Sequence, residues 1–141
     1  LRFSNVYGER QGDGGEGGVI SIFAKRLAKG QDITIFGNGK QTRDFVYAGD
    51  IARGIRLALT TPNADTCYNL STQTEISLNE LVTILSRITG KEITPSYGPA
   101  REGDIYRSSL SNEKAVKNLH WIPEVSLEEG LRRTYQYFQK Q

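Results

Sequence analysis

The sequence predicts an α/β (α+β) fold, and three observations carry that prediction. Apolar residues recur at helical spacing in several stretches, separated by short extended runs. Helix start and stop residues bracket those stretches. With 141 residues, 37% of them hydrophobic, the chain is long enough for one domain with its own core and too short for a second.

The elements follow in order. Leu1, Arg2 and Phe3 read as the end of an extended apolar segment begun upstream, because nothing before them supplies a turn or cap. Residues 7–18 are polar and glycine-dense, which predicts an exposed loop. Val19, Ile20, Phe23, Leu27 and Ala28 mark a helix stopped at Gly30. A strand over 33–36 closes at Gly37-Asn38-Gly39, where glycine tolerates positive φ, and a second strand runs over 43–47. Asp50 is the expected N-cap of a helix carrying Ile51, Ile55, Ala58 and Leu59 inward. Pro62-Asn63 ends that unit, and 67–70 is extended.

Ser77-Leu-Asn-Glu80 is a capping box before a helix with Leu78, Leu81, Val82, Leu85 and Ile88 as its buried stripe and Gly90 as its stop. Residues 93–97 are extended, Gly98-Pro99 turns the chain, and 101–104 is a loop. A short strand over 108–110 precedes a helix capped by Ser111 and running to Leu119. Ser126-Leu-Glu-Glu129 is a second capping box, opening a last helix with Leu127, Leu131, Tyr135 and Phe138 facing inward.

Composition excludes several classes. The apolar content and a net charge of +2 argue against a disordered chain. No apolar run approaches the ~20 residues of a membrane-spanning helix, and Leu1 opens no signal peptide. A single cysteine, Cys67, precludes an internal disulfide and any cysteine-rich zinc site, which makes a reducing cytoplasm the default compartment. Eighteen basic against sixteen acidic side chains, scattered along the chain, make no nucleic-acid footprint. The chain has no Met at all, so it is expected to be cut from something longer.

Gly12-x-Gly14-x-x-Gly17, with Asp32 downstream, imitates a dinucleotide fingerprint. Those glycines do not lie directly between a strand and a helix, and no strand precedes Asp32, so a chance match in a glycine-rich loop explains them better. Residues 34–41 fail as a phosphate loop because Thr34 holds the first glycine position and Gln41 replaces the magnesium-binding hydroxyl. Arg43, Phe45 and Tyr47 alternate, which puts them on one strand face. A guanidinium beside aromatic rings can grip a phosphate while the rings cover a base or sugar. The alternative is a surface arginine paired with a carboxylate over core aromatics. Arg101-Glu-Gly-Asp104 puts a second cation and a carboxylate on a loop, again with an ordinary solvated charge run as the alternative. His120 beside Trp121 has no ligand-type companion and reads as packing. No Tyr has a Lys four residues later, and neither G-x-S-x-G nor H-E-x-x-H occurs, so the chain offers binding groups without a reaction centre.

Three blocks carry a resemblance: residues 1–11 with Asn5-Val-Tyr7-Gly8, residues 35–47 with Gly37-Asn-Gly39 and Arg43-Asp44-Phe45, and Arg101-x-Gly-Asp104. In this order the chain closely resembles the C-terminal half of the NAD-dependent nucleotide-sugar epimerases and dehydratases, the extended short-chain dehydrogenase/reductases. The likeness extends over essentially the whole chain, through Leu119-His-Trp121-x-Pro123 and the closing Ser126-Leu-Glu-Glu-Gly-Leu131 helix.

That resemblance implies a substrate-binding domain over 1–141, with residues 1–5 as the crossover strand from an N-terminal Rossmann half that holds NAD and a catalytic Tyr-x-x-x-Lys pair. Asn5 would bond the diphosphate of a UDP-sugar or another nucleotide-sugar, and Phe3 and Ser4 would lie near the nicotinamide. Val19, Thr34 and Phe36 would line the nucleobase pocket, closed by Leu78. Arg43 and Arg101 would clamp the diphosphate, Phe45 would wall the site, and Asp104 would bond a ribose hydroxyl. Ser108 would border the sugar and, being small, leave room for an N-acetyl group.

Glu9 stands where many family members have Pro, and Gly18 where many have Asn. The parent is expected to be a cytoplasmic homodimer that acts as a UDP-hexose 4-epimerase. The alternatives are a sugar-nucleotide dehydratase or decarboxylase of the same family, or a stand-alone nucleotide-binding module.

Overall fold

The computed structural model describes residues 1–12 and 18–141. In chain order its elements are β1 (Arg2–Phe3), β2 (Asn5–Tyr7), α1 (Val19–Ala28), β3 (Thr34–Phe36), β4 (Thr42–Arg43), β5 (Phe45–Tyr47) and α2 (Ala48–Thr60). Then come β6 (Asn69–Leu70), β7 (Ile76–Ser77), α3 (Leu78–Thr89), β8 (Ser96–Gly98), β9 (Arg107–Ser108), α4 (Glu113–Leu119) and α5 (Leu127–Gln139). Helices alternating with short strands make the α/β class expected from the sequence.

The strands pair over long sequence separations. β1 runs parallel to β6, β2 to β5 and β3 to β8. β4 lies between antiparallel β7 and parallel β9, with Arg43 opposite both Ile76 and Ser108. The single strand expected over 43–47 is therefore two, and the chain changes sheets at Asp44. The Asp44 N–H donates to Ser108 O at 3.1 Å, while its carbonyl accepts from the Asn5 N–H at 2.9 Å. Its carboxylate, fully buried, accepts from the backbone N–H groups of Thr72 (2.9 Å) and Gln73 (3.1 Å) and from Thr72 Oγ1 (2.6 Å). These bonds hold the crossing where a strand ladder cannot.

Two cores form. One gathers Ile20 and Phe23 of α1, Ile33, Ile35, Leu78, Leu81 and Leu85 of α3, and Leu131 of α5. The other surrounds Trp121 with Val46, Ile51, Tyr68, Leu70, Ala115 and Leu119. Two helical glycines permit close approach: a Cβ on Gly54 would collide with Leu70 and Trp121, and one on Gly130 with the Tyr7 hydroxyl.

The capping box at Ser77 forms as expected, with Ser77 Oγ accepting from the Glu80 N–H and the Glu80 carboxylate accepting from the Ser77 N–H. At Ser126 only half of it forms. Ser126 Oγ accepts from the Glu129 N–H, but the Glu129 carboxylate turns to Arg133 at 2.7 Å, because an i,i+4 guanidinium is the stronger donor.

Asp50 is not an N-cap. Tyr47 precedes α2, and Asp50 lies in its first turn, buried, accepting from the Glu124 and Val125 N–H groups at 3.1 and 3.0 Å. Ile55 and Leu59 point outward, Leu59 being 81% exposed, and Gly54, Leu57 and Ala58 take the inner face with Ile51. Asn112 holds the position before α4 without a side-chain cap bond, and the Ser111 hydroxyl accepts from the Glu113 N–H at 3.4 Å. His120 does not pack either: it is exposed at φ +53, closing α4, and the packing is done by Trp121 alone.

Candidate functional site

A cavity of about 560 Å³ opens between β2, the start of α1, β3 and the 101–104 loop. Asn5, Val19, Thr34, Phe36, Arg43, Phe45, Leu78, Arg101 and Asp104 all line it. They arrive from six separate parts of the chain. β2 supplies Asn5, whose Nδ2 donates to Asp44 O at 3.3 Å. α1 presents Val19 at its first turn, and α3 presents Leu78 at its own. β3 supplies Thr34 and Phe36 on its outward face, with Ile35 turned into the core.

Arg43 is held from three sides. Its guanidinium donates to the carbonyls of Thr42 and Ile105 and meets Asp104 Oδ1 at 2.6 Å. Only 16% of its side chain is exposed, so the charge is aimed rather than free to sweep. The loop bearing Asp104 turns at Gly103, φ +77, with the Asp104 N–H donating to Arg101 O at 3.2 Å. Arg101 lies over the Phe36 ring, 4.1 Å from guanidinium carbon to centroid. Both guanidiniums thus reach one cavity, each already engaged: Arg43 by a carboxylate, Arg101 by an aromatic face.

β4 is fixed from outside. Glu75 accepts from Thr42 Oγ1 at 2.7 Å and from Arg107 Nε at 3.1 Å. The Arg107 guanidinium, then the Thr42 hydroxyl, hold its carboxyl down at about 2. In the cavity wall Tyr7 is buried edge-on to Phe45 and Tyr47, and burial pushes its phenol well above the ordinary value.

One residue expected to border the ligand, Ser108, is not in the wall. Ser108 lies beside Arg43 in the β4–β9 ladder, its carbonyl engaged by Asp44, so it does not border the cavity. Phe3, 42% exposed, and Ser4 lie outside it too, as residues expected beside the nicotinamide rather than in this wall would. Tyr47 does not join Arg43 and Phe45 in the wall: it shares the β5 face of Phe45, both rings meeting Tyr7, but lies two residues further along the strand. Its hydroxyl donates to both Glu9 carboxylate oxygens at 2.8 Å. Gly14 and Gly17 of the glycine pattern fall outside the described residues.

Among the polar residues of the wall that sequence reasoning missed are Gln41 and Gln11. Gln41 is buried and donates through Nε2 to Phe36 O at 2.6 Å, pinning the turn after β3. Gln11 packs over Gly18. No local pattern marks either one. Among the described residues no group of His, Cys, Asp or Glu could hold a metal, and no helix is long and apolar enough to cross a membrane.

The arrangement, two guanidiniums and an aromatic ring around a mixed polar and apolar concavity, is that of a site for an anionic ligand with a planar ring. Comparison with known proteins gives the class. The model of the NAD dependent epimerase/dehydratase family matches residues 1–71, and the chain belongs to that family. It is 47% identical over 133 residues to a putative UDP-glucose 4-epimerase of Methanocaldococcus jannaschii, covering 94% of this chain and 43% of that protein. To the UDP-glucose 4-epimerase of Mycolicibacterium smegmatis it is 38% identical, covering 96% of this chain and 43% of the relative. Among solved structures, the UDP-glucose 4-epimerase of Thermotoga maritima with UDP-glucose superposes with a TM-score of 0.94 at 43% identity, over 99% of this chain and 45% of that one. More distant relatives include UDP-glucuronic acid decarboxylase 1 of Xenopus tropicalis. The chain spans less than half the length of these relatives.

Proposed function

We propose that this chain is the nucleotide-sugar-binding part of an NAD-dependent epimerase that interconverts UDP-hexoses at C4 through a 4-keto sugar. One observation carries the reading: Arg43 and Arg101, far apart in sequence, share one cavity with Thr34, Phe36 and Asp104. A diphosphate diester carries two charges that two geometrically fixed guanidiniums match. On its arrival the phosphate competes with Asp104 for Arg43, and the released carboxylate accepts from a ribose hydroxyl. Phe36, with Thr34, Val19 and Leu78 around it, provides the flat apolar surface for the base. Asn5 adds a donor beside the diphosphate.

Anchoring the nucleotide leaves the hexose free to turn about its phosphate linkage, so remote contacts position the reacting carbon. NAD, when bound, accepts and returns hydride at that carbon. The residues present suit a cofactor neighbour: the Ser4 hydroxyl is buried with no partner among the described residues, beside the exposed ring of Phe3. Residues 1–5 would then be the crossover from the cofactor-binding half.

A second reading, a UDP-glucuronic acid decarboxylase, is favoured by the Xenopus tropicalis relative. It differs in product, a pentose rather than a C4 epimer.

The test is calorimetric titration of the chain with UDP, repeated for Arg43→Ala. Loss of one charge-assisted contact is expected to weaken binding by roughly 1.5–3 kcal/mol. No UDP binding by the unaltered chain, or equal binding by both, overturns the reading.

A further inference from the structure

Gly18 offers the cavity wall no side chain, and the carboxamide of Gln11 occupies the space above it. A Cβ placed on Gly18 would stand 2.8 Å from Gln11 Nε2 and 3.2 Å from Oε1. Both residues line the cavity that holds Arg43 and Arg101. Gln11 Nε2 donates to Val6 O at 3.3 Å, which sets the sense of the amide. Oε1 is then the remaining acceptor, and it is buried with no partner among the described residues. Buried amide oxygens are ordinarily bonded, so this one is poised for a donor brought by the ligand.

The chemistry of that donor follows. A diphosphate presents only acceptors, so it cannot satisfy Oε1. A sugar hydroxyl can. A sugar carboxylate at the same place would set negative charge against the oxygen lone pairs. The guanidiniums of the wall do not relieve that contact, since in the nucleotide-sugar reading Arg43 and Arg101 are both taken up by the diphosphate.

We propose that Gln11 is a specificity-determining residue: its carboxamide oxygen accepts a hydrogen bond from a hydroxyl of an uncharged sugar carried on the nucleotide diphosphate. The proposal rests on the nucleotide-sugar reading above. It selects neutral hexoses over hexuronates.

The experiment is calorimetric titration of the 141-residue chain, Gln11→Met and Gln11→Glu with UDP, UDP-glucose and UDP-glucuronate, comparing the UDP to UDP-glucose affinity ratio within each protein. The unaltered chain is expected to favour UDP-glucose over both UDP and UDP-glucuronate. In Gln11→Met the gain from glucose falls by roughly ten-fold, as for one lost hydrogen bond. In Gln11→Glu that gain persists, because a carboxylate still accepts, although it cannot donate to Val6. If Glu loses the gain as Met does, the bond to Val6 is what matters and Gln11 is structural. If UDP binds but Gln11→Met leaves the ratio unchanged, this proposal alone falls. If the unaltered chain does not bind UDP, the nucleotide-sugar reading falls and takes this one with it.

Discussion

Arg43 Nη2 and Asp104 Oδ1 stand 2.6 Å apart in the cavity wall, so the cation best placed to receive a phosphate already holds a carboxylate. The pair is partly exposed, Asp104 at 37%, and such a bond exchanges readily for a more highly charged partner.

Exchange makes Asp104 a competitor of the phosphate. Inorganic pyrophosphate, which has no ribose to offer in return, should bind Asp104→Asn roughly two- to five-fold tighter than the unaltered chain, the range of a partly exposed ion pair. Calorimetry at fixed ionic strength reads this directly. An unchanged affinity would separate Asp104 from anion binding.

Phe36 is 37% exposed and lies under Arg101. Replacing it with Leu keeps apolar bulk but removes the π face. UDP should bind Phe36→Leu roughly two- to five-fold more weakly, with little change in the urea midpoint. A large loss of stability with normal UDP affinity would make the ring a packing element.

Asp44 bonds β2 and β9 through its backbone and gathers Thr72 and Gln73 with its carboxylate. Asp44→Ala leaves two backbone N–H groups without their acceptor and should cost about 2–3 kcal/mol, seen as a lower urea midpoint at unchanged m. A midpoint within error of the unaltered chain contradicts this account of the strand crossing.

Glu75 gives an acid-side prediction. Arg107, then Thr42, lower its carboxyl from about 4.5 to about 2. A depressed native value means that its contribution is complete above pH 4.5 and drains away as pH falls toward 2. The urea midpoint should decline across that interval, and Arg107→Gln should flatten the decline. Parallel curves for the two proteins would assign the acid sensitivity elsewhere.

Most helices are legible in the chain. The stripe Leu78, Leu81, Val82 and Leu85 and the Ser77–Glu80 box concern neighbours within a turn or two, where i,i+3 and i,i+4 geometry is already contained in the spacing. The cavity residues are legible chiefly through resemblance, because alternation alone places Arg43, Phe45 and Tyr47 on one face, whereas only Arg43 and Phe45 of the three line the cavity. Asp50 shows the same failure. A carboxylate near a helix start looks like a cap, yet its acceptors serve Glu124 and Val125, far along the chain.

Local spacing was enough for most of the helices and for the cap at Ser77, since these depend on each residue's own chemistry and its near neighbours. Folding alone could choose that Asp104 sits on Arg43, that Arg101 covers Phe36 and that Gln11 fills the space over Gly18. The first two contacts join segments far apart in the chain, and the third spans the glycine-dense loop. None of them leaves a periodic trace.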